Sequence, residues 1–521
     1  MVKSKTKQRL GGISINWITI IIQVLISLFF IPFFLKTVGD IQYGLYSFST
    51  SLIAWLDTLM VAIASAYYKF LTREKKKFGE YGEARACGVF WKIFLVISVL
   101  VLAAGLLFDA LLYSGTIPLK EYSIAEKNQI CLIILFSTLS TTISSFLMVY
   151  KSYQYYKQKY ILIYSFSLGQ ILLQTILSVI FLKKGYGVVA VAAIHFGIAV
   201  LLTLVLSLFS KFILKEKVAV RSIDDEDKKY RKKLFLEILV FSSFVIINTV
   251  VDVMNKSLDK TILGFYNSES VATYQLAYTI PSYLISFTSI ISIVYVQKMN
   301  DCYYNGGGTK EMNELFLKVS KAQSIFAFLI IGGFIACGKE FVFLWLDDSR
   351  INVYYVSCIL MVVYSITCCN RLAIISRRVQ NFHIKASIIY FCVAIFNVVF
   401  SVILVNIMPK KDAIWACVIG TVSTYLLGHW LVMSIYDQKV TKLNMISFYK
   451  IFLKYMIIAL TIDLLVYRVD RLIIIDNTIV TFVVKGISFA LLFGLCVFFI
   501  DRTMFLNALN KIRTKFKKNS R

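Results

Sequence analysis

A chain of 521 residues that is 58% hydrophobic and 16% charged, with a mean hydropathy of +0.74, falls outside the soluble globular class, where charged residues make up about a quarter. Its formal charge of +27 does not describe a nucleic-acid-binding domain, because the basic residues sit in short loops between apolar runs. Those runs are continuous over about 20 residues and do not alternate with period two, so an all-α polytopic membrane protein is expected and a β-barrel is not.

The opening MVKSKTKQRL and the apolar run to Phe34 look like a secretory signal. The apolar part is too long and has no A-x-A cleavage site, so it is expected to stay as the first membrane helix. Apolar segments centred near Ile21, Trp55, Ile97, Ser140, Leu172, Ala199, Ile246, Ile285, Phe328, Leu360, Ala394, Val422, Ile458 and Leu491 predict about fourteen transmembrane helices. The stretch from Lys339 to Asp348 is too short to span and is expected at the surface before the tenth helix. Loops assigned to one side carry 39 of the 56 lysines and arginines, and the opposite loops carry 13. An even number of spans with this bias places both termini in the cytoplasm.

An internal repeat is expected from two regions. Tyr46 aligns with Tyr274 at an offset of 228, and Tyr164 with Tyr390 and Ala190 with Ala416 at an offset of 226. Two pseudo-symmetric six-helix lobes follow, 1–218 and 219–437, joined by the basic linker from Lys211 to Lys233, with helices thirteen and fourteen and a basic tail in 438–521. An even helix count per copy relates the lobes by an axis along the membrane normal.

Near the middle of the chain, NTVVDVMNKSLDKTILGFY carries Asn248, Asp252, Asn255, Lys256 and Asp259 at spacings of three and four, one stripe on a helix. A charge at the bilayer centre costs roughly 2.5 to 3.5 kcal/mol on insertion scales, so the stripe faces either a water-filled path or polar ligand, or else one membrane surface where its charges pair or snorkel. Ten cysteines without a CxxC pair read as small hydrophobes, and His195, His383 and His429 lack a third ligand at metal spacing, so neither metal nor cofactor is expected. NGGGTK at Asn305 to Lys310 lacks the GK[ST] ending of a phosphate loop and reads as a flexible turn.

The segment NWITIIIQVLISLFFIPFFLKTVGDIQYGLYSF resembles the first two helices of bacterial polysaccharide flippases, with a P-x-x-L-x-x-x-G turn leading into a Y-G-x-Y helix start. The D-K-x-x-L-G segment from Asp259 to Gly264, Tyr274, and G-Y-G-V-V-A-V-A from Gly185 are similar to the same family. One departure is PKKDAIWAC, which has no glycine where the family's acidic-apolar-glycine turn is expected. The superfamily is that of the multidrug, oligosaccharidyl-lipid and polysaccharide exporters. Its oligosaccharide branch implies movement of an undecaprenyl-diphosphate-linked glycan to the outer leaflet of a bacterial cytoplasmic membrane, by alternating access and without catalytic residues. A polysaccharide polymerase and chain-length machinery are the implied partners besides membrane lipid.

On that resemblance, Lys256 and Lys260, then Lys92 and Arg371, are expected to hold the diphosphate, since charge-assisted contacts strengthen where water is scarce. Asn16, Gln23, Gln170, Gln174, Asn248 and Asn255 are expected to line a cavity for sugar hydroxyls, or to bond helices together. Asp57, Asp252, Asp259 and Asp463 are candidates for coupling to protons or sodium. A drug or cation exporter of the same superfamily would carry an acidic cavity instead. A polytopic glycan polymerase or ligase would need a substantial outward loop, and the outer loops here are short.

Overall fold

Backbone in hydrocarbon must satisfy its own hydrogen bonds, which is why each apolar run is wound into a helix. The computed structural model describes residues 2–117, 119, 122–213, 225–304, 308–472 and 477–502. Residues 214–224 of the basic linker, 305–307 of the glycine run, the basic tail, and the side chains of Asn248, Asp252 and His383 lie outside the described residues.

Helices α1 (2–38), α2 (40–78) and α3 (80–113) follow one another with breaks at Gly39 (φ 81°) and Gly79 (φ 65°), left-handed backbone that glycine adopts without a Cβ clash. Then come α4 (Ile124–Tyr156), α5 (Tyr160–Lys183), α6 (Val188–Leu208), α7 (Asp225–Gly264), α8 (Ser268–Tyr304) and α9 (Gly308–Trp345). They are followed by α10 (Ile351–Cys369, continued by Arg371–Val379), α11 (His383–Ile407), α12 (Ala413–Thr424, continued to Thr441 largely with π-type winding), α13 (Met445–Leu472) and α14 (Thr478–Ile500). The chain is all-α, with fourteen helices among the described residues, each holding one centre expected from the sequence. Eleven runs among those residues are long and apolar enough to cross a membrane, the first of them holding α1, α2 and α3. Lys339 to Trp345 is not a separate surface segment: it is the end of α9, where Val342 and Trp345 are buried.

The chain forms two compact units, one of Met1–Gln275 with Tyr390–Gly420 and one of Leu276–Ile389 with Thr421–Arg521. These are borders of packing. The division at 218 and 437 follows similarity within the sequence and is a different kind of border.

In the first unit, Tyr67, Phe70, Phe90, Phe94, Tyr153 and Leu234 bring α2, α3, α4 and α7 around one core. Lipid tails are as apolar as these side chains, so close fit and buried polar bonds hold the bundle together more than exclusion from water does. At one end Glu74 is fully buried and receives Arg85 Nη2 at 2.9 Å, Arg73 Nη2 at 3.2 Å and the Tyr230 hydroxyl at 3.1 Å. Asp227 accepts from Arg231 Nε at 2.6 Å and Arg85 Nη1 at 3.4 Å, while Glu83 accepts from Lys75, Lys157 and Tyr153. This network ties together the loops that the basic-residue bias assigns to one side. At the other end Tyr122 donates to the Gly264 carbonyl at 2.6 Å, and α2 meets the start of α8 so closely that a Cβ on Gly44 would lie 1.9 Å from the Ser268 carbonyl oxygen.

In the second unit, Phe316 and Phe328 of α9 pack on Phe448 and Phe452 of α13 and near Phe489 and Phe493 of α14. Helices α13 and α14 thus complete the core of this unit. Lys321 and Lys454 meet Asp501 at 2.5 and 3.3 Å, and the buried Arg377 holds Asp437 at 2.8 and 2.9 Å, again joining loops assigned to one side. At the opposite end Lys485 bridges Glu340 and Asp470 at 2.7 and 2.8 Å.

Candidate functional site

Inside the first unit, a cavity of about 380 Å³ lies among α2, α4, α5 and α6. Asp57 of α2 faces Ser140, Thr141 and Ser144 of α4, with Ser167 and Gln170 of α5 and Thr203 and Ser207 of α6 completing the polar lining. Asp57 lies against the Thr141 hydroxyl, and Lys151 stands eleven residues beyond Ser140, about 16 Å further along α4. Spacings of four and seven on α4 set Ser140, Ser144 and Lys151 on one face. One carboxylate thus lies among hydroxyl oxygens at mid-helix, with a lysine on the same wall, and the volume is in the range that small ligands occupy.

The residues expected from sequence divide between this cavity and other places. Asp57 and Gln170 are brought together here. Gln174 instead donates its amide to the His195 carbonyl at 3.2 Å, and His195 Nδ1 meets the Tyr46 hydroxyl at 2.9 Å, a helix-to-helix bond of the kind that also occurs without any ligand. On α1, Asn16 is half-buried and Gln23 exposed. The hydroxyl run from Ser137 to Ser145 is split: Thr138 and Ser145 are fully buried, whereas Ser140, Thr141 and Ser144 face the cavity. Lys151 was not singled out in the sequence, and its place on the Ser140–Ser144 face is the signal that would have found it.

On α7, Lys256 is exposed and Lys260 half-buried, and neither has an ion-pair partner among the described residues. Asn255 is half-buried, and Asp259 is buried and accepts from the Tyr274 hydroxyl of α8. Lys92 stands apart from these lysines. It faces Lys228, Arg231 and Lys232 across a separate pocket at the start of α7, 24 residues and about 36 Å along the axis from Lys232 to Lys256. Arg371 and Asp463 belong to the second unit. Arg371 is half-buried, and both oxygens of the buried Asp463 carboxyl lack a hydrogen-bond partner among the described residues.

A lipid II flippase, MurJ, in an inward closed conformation superimposes with a TM-score of 0.67 over 95% of this chain and 100% of its own, at 16% identity. The chain has the MurJ and MATE fold. A MATE multidrug resistance transporter of the MOP superfamily, inward-facing, covers 77% of this chain and 94% of its own at TM-score 0.57 and 13% identity. An MOP-superfamily transporter from Pyrococcus furiosus, described by the reversed polarity of its binding pocket, covers 83% and 94% at TM-score 0.52 and 13% identity. No protein-family model and no curated protein matches the chain. Fourteen helices with α13 and α14 seated on α9 fit the full-length likeness to the MurJ fold.

Proposed function

We propose that the protein moves a polyprenyl-diphosphate-linked oligosaccharide from the cytoplasmic to the outer leaflet of a bacterial cytoplasmic membrane, by alternating access of the repeats 1–218 and 219–437. The observation that carries this reading is the extent of the MurJ likeness, which covers 95% of the chain at TM-score 0.67, whereas the MATE structures cover 77 to 86% of it at TM-scores of 0.52 to 0.57. Lys256 and Lys260, cations without partners among the described residues, suit the diphosphate, and Asn255, Asn16 and Gln23 suit sugar hydroxyls. Asp57, in its hydroxyl-lined cavity, suits coupling to a proton or sodium. Residues 438–521 add helices that serve the second unit. A polymerase and chain-length machinery would act on the exported glycan.

The test is reconstitution of the purified protein in liposomes with a fluorescent polyprenyl-diphosphate oligosaccharide, reading accessibility to an external quencher. Transfer between leaflets that depends on the protein is expected. Absence of transfer with a folded protein, together with normal surface glycan in a deletion strain that has no second exporter, rejects the reading. The rival reading, export of a drug or organic cation, draws on the Asp57 carboxylate in its hydroxyl-lined cavity, and extrusion of such a cation by the same liposomes with no glycolipid transfer would decide for it.

A further inference from the structure

The pocket beside Lys92 has a chemistry of its own. It measures about 210 Å³ and is walled by Val89 and Lys92 of α3 and by Lys228, Arg231, Lys232 and Phe235 of α7. Four cations thus share one small concavity. Among the described side chains the carboxylates nearby are already engaged: Asp227 by Arg231 and Arg85, Glu74 by Arg85 and Arg73, and Glu237 by Arg73 at 2.8 Å. Lys92 and Lys232 have no ion-pair partner among the described residues, so the pocket carries surplus positive charge whose mutual repulsion an anion would relieve.

What lies next to the pocket selects the kind of anion. One to two turns further along α3, Val96 and Val99 are 48% and 59% exposed, and along α7 Leu236 and Val240 are 53% and 61% exposed. An apolar strip therefore begins where the cations end, as at the boundary between headgroups and hydrocarbon. We propose that this pocket docks the phosphate of an anionic membrane lipid, with the lipid's acyl chain along the strip formed by α3 and α7. Arg231, fixed by Asp227 Oδ2 at 2.6 Å, gives the pocket a preset floor, while Lys92, Lys228 and Lys232 close around the phosphate. The site is distinct from Lys256 and Lys260 and does not depend on what the protein transports.

The experiment uses the full-length protein, with retained lipid measured by native mass spectrometry after exchange against phosphatidylglycerol, phosphatidylcholine or soluble glycerol phosphate. Phosphatidylglycerol should be retained at least about tenfold better than phosphatidylcholine. The double variant Lys92→Gln/Lys232→Gln should lose that preference by about tenfold, Lys92→Arg/Lys232→Arg should keep it, and Lys183→Gln/Lys184→Gln, exposed lysines at the other end of the unit, should leave it unchanged. Equal retention of the anionic and zwitterionic lipids by the unaltered protein overturns the proposal, and so does an unchanged preference in the Gln variant. Glycerol phosphate binding as tightly as phosphatidylglycerol also overturns it, by making this a site for soluble phosphate. Transport is not the readout, so a negative result here leaves the proposed function standing.

Discussion

Replacing Arg85 with Met should be among the most destabilising single changes in the first unit. Its guanidinium is buried, bonds to Glu74 at 2.9 Å and Asp227 at 3.4 Å, and lies 4.0 Å from the Tyr230 ring centre and 4.3 Å from that of Phe78. Methionine keeps much of the bulk and removes the charge. Breaking a buried ion pair by deleting one partner costs about 3 to 5 kcal/mol, because the other charge stays behind uncompensated. Here Glu74 retains Arg73 and Tyr230, and Asp227 retains Arg231, which places the ion-pair loss at the lower end; the lost ring contacts add about 0.5 to 2 kcal/mol. A total near 4 kcal/mol results. Lys75→Met is the comparison, since Lys75 pairs with Glu83 but is 45% exposed, and such pairs contribute about 1 kcal/mol or less. Both variants would be unfolded by denaturant in a mild detergent and followed by tryptophan fluorescence. Glu74→Gln combined with Arg85→Met should be less damaging than the sum of the single changes, with a coupling of about 0.5 to 3 kcal/mol. If Arg85→Met cost no more than Lys75→Met, or the double variant showed simple additivity, the network would not be the lock described here.

Burial alone would raise the Asp501 carboxyl, but Lys321, Tyr455 and Lys454 outweigh it and hold it below the usual carboxylate range. A depressed folded value means that its contribution is present above the unfolded value of about 4 and is lost as pH falls through the folded one, so the melting difference between Asp501→Asn and the unaltered protein should be full at neutral pH and vanish in strong acid. Gly264→Val should destabilise by about 1 to 3 kcal/mol through overpacking, because a Cβ at that position would lie 1.8 Å from the fully buried Phe48 ring; unchanged melting would disprove the close approach. Lys256→Gln/Lys260→Gln should slow glycolipid transfer about tenfold or more at unchanged protein level, and unimpaired transfer would remove both from the path. Asp57→Asn should abolish the dependence of transfer on an ion gradient while leaving melting unchanged, and a retained dependence would take Asp57 out of the coupling site.

The fourteen helices were legible because hydrocarbon imposes one solution on an apolar run of about 20 residues, and every expected centre falls within a helix. Lys339 to Trp345 misled for a related reason: its charged start looks like a terminus, yet α9 runs on for another turn and more with Val342 and Trp345 inside the bundle. Side-chain roles were less legible. Gln170 and Gln174 are neighbours on one helical face by spacing, but one lines the Asp57 cavity and the other bonds to the His195 carbonyl, a choice made by what α6 places opposite them. Lys92 shows the same limit, since its companions Lys228, Arg231 and Lys232 lie more than a hundred residues away in sequence.

The length of α7 bears on how these sites relate. Its 40 residues extend about 60 Å at 1.5 Å per residue, twice the thickness of bilayer hydrocarbon, so the helix must emerge from the lipid at one end at least. Its charged start, from Asp225 to Lys233, is the end that emerges, and the exposed Leu236 and Val240 mark where hydrocarbon begins. From Leu236 to Lys256 is 20 residues, about 30 Å, so Lys256 and Lys260 stand near the far boundary of the hydrocarbon unless α7 is steeply tilted. On the proposed reading, Lys256 and Lys260 would meet a diphosphate near the outer end of its passage. The stretch of α7 from Leu236 to Val251 is mainly apolar, so the polar surface that alternating access must supply at that depth has to come from other helices.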